Sequence, residues 1–432
     1  MADLKSKIES NAAVVGVLGL GYVGLPLALE FARKGLRVRG FDVDAARVRA
    51  LRSGRAYIGD VASSLLKEQA AAGRFRAEHG FDAVSGCDAL ILCVPTPLRK
   101  TKEPDVSYIL SAASEVARRL AKGRLVVLES TTYPGTTREL VLPLFEKRGM
   151  KAGKDFFLAF SPERVDPSNP RYRIENTPKV VGGITPACGR LAAALYSKVV
   201  GRVVSVSGAE TAEMVKLLEN TFRAVNIGLV NEMALMCHKL GLDVWEVIEA
   251  ASTKPFGFMP FYPGPGLGGH CIPVDPHYLA WKMKALNFEP RFIELAGVIN
   301  GSMPEHSVAR MADLLNRRGM PVRGSRILVL GAAYKPDVND VRESPSLDVI
   351  KLLLDLGAEV SYHDPHVPAL TIEGKKMRST PLTPSNLRKA DLVAVLTAHS
   401  GVDYPSVVRQ ARLVFDARNA TKGLRRRDLF RL

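Results

Sequence analysis

Cys271 ends the run Pro263-Gly-Pro-Gly-Leu-Gly-Gly-His-Cys271, and Ile-Pro-Val-Asp275-Pro276 follows it. Glycines let a backbone approach a ligand closely, and prolines fix the loop that carries them. A thiol on a stiff loop, with a carboxylate four residues on, suits covalent catalysis. Taken alone, the segment reads as a buried structural cysteine beside a turn, so its companions matter. One is Gly19-Leu-Gly21-Tyr22-Val23-Gly24, a turn shaped for a pyrophosphate. Another is the spacing of Lys216, Asn220 and Arg223, which places an ammonium, an amide and a guanidinium on one helical face. That trio could clamp an anionic ligand or be a solvated face. A third is Glu163-Arg164 behind Ser161-Pro162, which taken alone reads as a surface pair.

These groups need elements to hold them. Ala13–Leu18 is a short apolar run that leads into the glycine turn, Leu25–Lys34 reads as a helix, and Leu36–Phe41 reads as a strand ending at Asp42. In such a βαβ unit Gly19 permits the tight turn, Gly21 lets the pyrophosphate touch backbone, and Gly24 lets the helix pack on the sheet. The phosphates belong at the helix N-terminus. Asp42 can take the adenosine ribose hydroxyls and repel a 2′-phosphate, which favours NAD over NADP, with Arg47 close by. Ala89–Val94 runs into Pro95-Thr96-Pro97, and Leu125–Leu128 into Glu129-Ser-Thr-Thr132. Loops at the carboxyl ends of strands face the ligand in a doubly wound sheet, so Thr96 and Thr132 are candidates for cofactor and substrate. Phe157–Phe160 delivers Glu163 and Arg164 in the same way.

Ala209–Leu240 has no proline and reads as one long helix or two abutting ones, with a second helix near Val244–Ser252. Arg326–Leu330, Ser346–Leu356 and Glu359–His363 form another βαβ unit, with Asp391–Leu396 and Leu413–Asp416 as further strands. This unit lacks GxGxxG, so a nucleotide diphosphate held by Lys335 and loop N–H groups suits it better than a second dinucleotide. The expected fold class is α/β, with two Rossmann-like doubly wound domains joined by a central long-helix domain. The expected boundaries are 1–205, 206–318 and 319–432. The long helix is also a natural interface for a homodimer or higher homo-oligomer.

Composition bounds the partners. With 432 residues, 47% hydrophobic and 24% charged, the chain reads as a soluble globular protein. No apolar run approaches the roughly 18 residues of a membrane span, and the N-terminus has no signal-peptide core. Five cysteines without a Cys-x-x-Cys pair suit reduced thiols in a cytoplasmic setting. No metal site is expected, since adjacent His270 and Cys271 point poorly for one zinc ion shared with Asp275 and His277. The net charge of +16 is spread along the chain rather than gathered in a stripe, so nucleic acid is not an expected partner. Its one dense cluster, Arg425–Arg427, reads as a solvated tail.

GLGYVGLPLA, PTP, ESTTYPGTT, SPER, Lys216 with Asn220, GGHCIPVDP and YKPDVNDVRESPS occur in that order. From about Val14 to Asn419 the chain thereby resembles the nucleotide-sugar 6-dehydrogenases, the UDP-glucose and UDP-N-acetylhexosamine dehydrogenase family. The resemblance implies NAD as cofactor, a UDP-sugar as substrate, and a role in polysaccharide biosynthesis. It also implies oxidation of the C6 hydroxymethyl to a carboxylate, through a thiohemiacetal and a thioester on Cys271. By matching motifs, Lys216 and Asn220 would stabilise the oxyanion, Asp275 and Thr132 would position water and relay protons, and Glu163 would be the base for hydrolysis. Tyr22, Val23, Arg47, Thr96 and Arg342 would touch the cofactor. Arg164, Val165, Arg223, Tyr334, Lys335 and Arg418 would touch the substrate, as would Lys216 and Asn220. The stretch from Lys254 through the phenylalanine-rich loop, with Val-Asp-Pro after the cysteine, resembles the UDP-N-acetylglucosamine members. UDP-N-acetylmannosamine and UDP-glucose are the alternatives. An inactive NAD-binding sensor is a more distant one, opposed by competent residue types at every catalytic position.

Overall fold

The computed structural model describes residues 2–59, 61–99, 103–166, 169, 171–269 and 272–432. His270 and Cys271 lie outside the described residues. The chain divides into two compact units, Met1–Glu219 with His277–Asn287, and Asn220–Pro276 with Phe288–Leu432.

The first unit is built on an eight-stranded sheet. Its strands are β1 (Val14–Leu18), β2 (Arg37–Asp42), β3 (Phe75–His79), β4 (Ala89–Leu92), β5 (Leu125–Leu128), β6 (Phe157–Phe160), β7 (Lys179–Gly183) and β8 (Val203–Ser205), in the order β3-β2-β1-β4-β5-β6-β7-β8. The first six are parallel, β7 runs antiparallel to β6, and β8 runs parallel to β7. Both faces are covered, which is why the central strands are apolar throughout. Ala89, Ile91, Leu125 and Val127 join one core with the helix residues Ala28 and Phe31. Their neighbours Leu90, Leu92, Val126 and Leu128 join the other with Phe145 and Phe156. The sequence reading found β1, β2, β4, β5 and β6 but not β3, β7 or β8. In β7 a lysine and two glycines break the apolar signature although all five residues are buried.

The second unit holds a five-stranded sheet from β9 (Arg326–Leu330), β10 (Glu359–His363), β13 (Leu392–Val395), β14 (Val414–Asp416) and β15 (Leu429–Arg431), ordered β10-β9-β13-β14-β15. A separate hairpin, β11 (Ala369–Ile372) and β12 (Lys375–Arg378), lies between β10 and β13 in the chain. The alternation recurs: Ile327 and Val329 face one core, Leu328 and Leu330 the other. Asp364, just after β10, anchors this unit's first turn. Its carboxylate accepts the N–H groups of Ala332 at 2.8 Å, Ala333 at 2.9 Å, His366 at 2.8 Å and Val367 at 3.0 Å, and Nε2 of His399 lies 3.0 Å away. Burial pushes the acid's pKa up, but His399 and the backbone donors outweigh it and hold Asp364 well below the usual carboxylate range.

Ala209–Leu240 is one continuous helix of 32 residues, the first of the two expected alternatives. Gly228 within it is explained by packing, because a Cβ there would come within 3.2 Å of Ala296 on the helix Arg291–Asn316. Between these helices Asn231 Nδ2 donates to Asn300 Oδ1 at 2.8 Å, and Asn300 Nδ2 donates to the Ala224 carbonyl at 3.0 Å. The C-terminal arginines correct the expectation of a solvated tail. Arg425 and Arg427 are exposed, but Arg426 donates to the carbonyls of Val408 and Ala411. Arg431, in β15, donates to Thr421 and Leu424 at 2.7 and 2.9 Å. Among the described residues no helix is long and apolar enough to cross a membrane.

Candidate functional site

In the first unit the glycine turn separates its own needs from those of a ligand. Gly19 has φ +91°, and a Cβ there would lie 2.5 Å from the Cys93 carbonyl oxygen. A Cβ on Gly24 would lie 1.9 Å from the Gly19 carbonyl oxygen. Folding alone therefore demands both. A Cβ on Gly21 meets nothing within 4 Å, so the open side of the turn lies at the position expected to touch a pyrophosphate. The helix Gly24–Arg33 starts at Val23 without a side-chain cap, and its first N–H groups suit an anion. Tyr22 is exposed at this turn. The site fits a dinucleotide.

At the end of β2, Asp42 Oδ2 accepts the Leu20 N–H at 3.0 Å and Oδ1 accepts the Asp44 N–H at 2.9 Å. Arg47 is held between carboxylates, with Nη1 3.7 Å from Asp42 and Nε 3.5 Å from Asp44. Its guanidinium also lies over the Tyr57 ring, 5.7 Å from the centroid. Tyr57 donates to the Leu20 carbonyl at 2.6 Å and so braces the turn. Tyr57 was not foreseen, since a lone tyrosine in a loop carries no pattern.

Thr96 follows β4, and its carbonyl accepts the Tyr278 hydroxyl. Thr132 is buried, and its Oγ1 lies 2.7 Å from Thr136 Oγ1. Thr136 already donates to the Tyr133 carbonyl at 2.8 Å, so its only proton is used. Thr132 must then be the donor of the pair, which leaves its lone pairs as the groups offered to a ligand or water. Glu213 holds this loop from the long helix. It accepts Gly135 N–H at 2.6 Å, Thr137 N–H at 2.9 Å and Thr137 Oγ1 at 2.6 Å. Burial pushes Glu213 up to about 7 despite these donors. Lys216 is half-buried one turn further along the same helix.

Glu163 and Arg164 are not paired as side chains. Glu163 Oε1 accepts the N–H groups of Arg164 at 2.8 Å and Val165 at 2.6 Å, while Oε2 lies 3.0 Å from Lys179 Nζ. Lys179 also donates to Glu129, whose other oxygen accepts Tyr196 OH at 2.6 Å. Arg164 turns to Glu219, at 3.3 Å from Nε and 2.5 Å from Nη2, and to the Pro178 carbonyl at 2.7 Å. Glu129, Lys179, Glu213 and Glu219 are therefore additions to the sequence reading. Glu129 and Lys179 had one visible signal, a charge at the edge of an apolar strand.

In the second unit Asn220 and Asp275 are both buried and joined by a hydrogen bond from Asn220 Nδ2 to Asp275 Oδ2. The glycine loop that leads to Cys271 is fixed against the same unit. Gly264 N–H donates to Asn231 at 3.0 Å and Gly269 N–H to the Arg342 carbonyl at 3.2 Å. A Cβ on Gly264 would lie 2.2 Å from Arg418 Nη1, and one on Gly269 would lie 2.8 Å from the Tyr334 ring. Tyr334 and Arg418 are thus brought to the cysteine loop. Burial lowers Arg418 to about 10, still above neutral pH. Lys335 Nζ lies 5.7 Å from the centre of the Tyr334 ring. Arg342 is exposed and paired with Asp340 at 2.6 Å. Arg223 is exposed on the long helix.

Asp337, His366 and His399 also converge here, their ligand atoms within 4.8 Å of one another. His399 Nδ1 accepts the Asp337 N–H at 3.0 Å, so its Nε2 carries the proton facing Asp364. That lone pair is occupied, and the trio reads as a structural brace rather than a metal site.

Three family models match the chain. They are the UDP-glucose/GDP-mannose dehydrogenase family's NAD binding domain over residues 13–200, its central domain over 210–302, and its UDP binding domain over 328–423. The chain is 36% identical to a UDP-N-acetyl-D-glucosamine 6-dehydrogenase of Pseudomonas aeruginosa over 357 residues, covering 82% of this chain and 83% of that protein. It is 35% identical to a UDP-N-acetyl-D-mannosamine dehydrogenase of Pyrococcus horikoshii over 414 residues, covering 94% and 96%. The solved structure of a UDP-D-ManNAc dehydrogenase from Pyrococcus horikoshii superposes with a TM-score of 0.88 at 33% identity, over 97% of this chain and 98% of that one.

The clamp on Arg47 generates a prediction. Asp42→Ala removes one of its two carboxylate partners and the charge that repels a 2′-phosphate. The kcat/KM ratio of NADP to NAD should rise by about tenfold or more, the factor that about 1.4 kcal/mol represents. Arg47→Ala in the same background should remove the gain. An unchanged ratio in Asp42→Ala would show that Asp42 does not set the preference.

Proposed function

The chain belongs to the UDP-glucose/GDP-mannose dehydrogenase family, and from that premise we propose that it oxidises C6 of UDP-N-acetylglucosamine to the carboxylate, using Cys271 as nucleophile. It is an NAD-dependent nucleotide-sugar oxidoreductase. The observation that best supports the finer reading is the anchoring of residues 264–269 on Tyr334 and Arg418, with Asp275 bonded to Asn220 on the other side of the thiol in sequence. Residues 264–269, which precede the thiol in sequence, thus lie against groups that would hold a nucleotide sugar.

NAD, when bound, accepts a hydride from C6 in each of the two oxidations. Gly21, Tyr22, Val23 and the first N–H groups of the helix Gly24–Arg33 would hold its phosphates, Asp42 and Arg47 its adenosine end, and Thr96 and Thr132 its other end, with Arg342 as a further contact. Cys271 adds as thiolate to the C6 aldehyde, which retains the aldehyde between oxidations. The resulting thiohemiacetal becomes a thioester, and water releases the acid and the thiol. Lys216 and Asn220 stabilise the negative oxygen at C6. Asn220 gives one amide N–H to Asp275 and has a second for that oxygen. Thr132, as an acceptor, orients a hydroxyl or water. Glu163 is the base for hydrolysis. Burial raises its pKa, but Lys179 and the Val165 N–H outweigh burial and bring it to about 2. Kept ionised, Glu163 orients the attacking water and accepts its proton, which Asp275 relays. Tyr334, Lys335 and Arg418 are the proposed UDP-sugar contacts, and Arg164, Val165 and Arg223 are proposed as further ones.

The choice of N-acetylglucosamine rests on the phenylalanine-rich loop, whose Phe256, Phe258 and Met259 are exposed, and on the Pseudomonas aeruginosa relative. A homo-oligomer belongs to the same reading. Phe222, Leu229, Met236 and Leu240 are exposed at helical spacing on the long helix, and Phe292, Leu295 and Val298 are exposed on its neighbour. A second copy covering this face would remove a large apolar area from water. A cytoplasmic setting completes the reading, since Cys87, Cys93, Cys188 and Cys237 are free thiols.

Two measurements test it. In a panel of UDP-sugars with NAD, kcat/KM should be highest for UDP-N-acetylglucosamine; higher values for UDP-N-acetylmannosamine or UDP-glucose would reassign the sugar. In sedimentation at micromolar concentration the protein should be a dimer or larger and Leu229→Asp should shift it toward monomer. A monomeric wild type would remove the oligomer from the account.

A further inference from the structure

Three charged groups of the first unit are buried together without a reason in the fold alone. Glu129 at the end of β5 and Lys179 at the start of β7 are both buried, and Glu163 beyond β6 is largely so. Buried ion pairs seldom stabilise more than well-packed apolar residues of similar size would. Stability alone is therefore a poor reason for a lysine at the head of a strand whose five residues are all buried.

We infer that Lys179 is a positioning residue for Glu163, bridging it to Glu129 so that the Glu163 carboxylate stays fixed and charged at the end of β6. The inference rests on the role proposed for Glu163. Glu163 Oε1 is fixed by two N–H groups, and Oε2 lies 3.0 Å from Lys179, which leaves Oε2 the oxygen able to take a water. The other charged neighbours do not substitute for Lys179. Arg164 has turned to Glu219, and Glu129 is itself a carboxylate. Tyr196 OH donates to Glu129. Burial pushes the Cys93 thiol far up, so it stays neutral. Lys179 Nζ also lies 5.2 Å from the centre of the Tyr196 ring, which fixes the ammonium from a third side.

Burial pushes both acids up, but what opposes it leaves them on opposite sides of the usual carboxylate range. Burial pushes Glu129 up to about 7, with Lys179 opposing. Glu163, which has the Val165 N–H as well as Lys179, falls to about 2. Glu129 is thus the member that takes up a proton first, and Glu163 keeps its charge.

The test compares kcat and KM across pH 5.5–9 for wild type, Lys179→Met, Lys179→Arg and Glu163→Gln. A carboxylate acts as acceptor above its pKa, so wild type should show no acid limb from Glu163 in this range. Without the ammonium, burial should push the pKa of Glu163 up toward this range. In Lys179→Met, kcat should then fall about tenfold per pH unit on the acid side and recover toward pH 9, with both KM values within about twofold of wild type. Lys179→Arg should restore most of the rate. If Lys179→Met folds poorly, Lys179→Met with Glu129→Gln removes one buried charge of each sign and should show the same limb. Equal loss at every pH, or an unchanged profile, would overturn the role of Lys179. Full turnover by Glu163→Gln would instead remove the proposed role of Glu163, and this inference with it. A crippled Glu163→Gln beside a wild-type profile for Lys179→Met would overturn the Lys179 assignment alone.

Discussion

Each half of the molecule depends on a glycine turn with no room for a side chain. After β1, Gly19 has φ +91° and is pressed against the end of β4 at Cys93. After β9, Gly331 has φ +90° and is pressed against the end of β13, with Thr397 Cβ 2.4 Å from where a Cβ would stand. A larger residue at either turn would meet both backbone strain and a clash. The first strand and its parallel neighbour must close on the turn for either sheet to form, and the loops that follow these strands inherit their positions from it.

The same device then diverges through one carboxylate. In the first unit Asp42 accepts two backbone N–H groups and adjoins an exposed arginine, so it can also meet a ribose. In the second, Asp364 accepts four N–H groups and faces His399, which consumes its acceptor capacity inside the fold. One half is equipped for a dinucleotide. The other keeps the architecture and places half-buried Tyr334, Lys335 and Arg418 in the segments after β9 and β14. The buried network of Asn231 and Asn300 plays a comparable part for the helices of the second unit, and it fixes Gly264 of the cysteine loop as well.

Much of this was legible in the sequence because the signals are local. The glycine turn, Asp42, strands β1, β2, β4, β5, β6, β9 and β10 and the helix Ala209–Leu240 all follow from short patterns read along the chain. Residues acting across strands were not legible. Lys179 looks like an ordinary strand-edge charge until β7 is known to lie beside β6, and Glu213 looks like one more acid on a helix until the Gly135–Thr137 loop folds onto it. Arg426 looks solvated until the carbonyls at the end of the helix Tyr404–Gln410 are found beneath it. The side-chain pairing of Arg164 with Glu219 rather than Glu163 has the same origin, since adjacent residues in a turn point apart. Cys271 lies outside the described residues, so its role rests on its motif and on the anchoring of the glycines before it.

In the proposed reaction the aldehyde stays bound to Cys271 between two oxidations. Mass spectrometry of Cys271→Ser after incubation with NAD and UDP-N-acetylglucosamine tests it most directly. Serine should form an ester that hydrolyses slowly, because an alkoxide leaves less readily than a thiolate. The account predicts an adduct on residue 271 together with loss of steady-state acid production. Full acid production by Cys271→Ser, with no adduct, would contradict it.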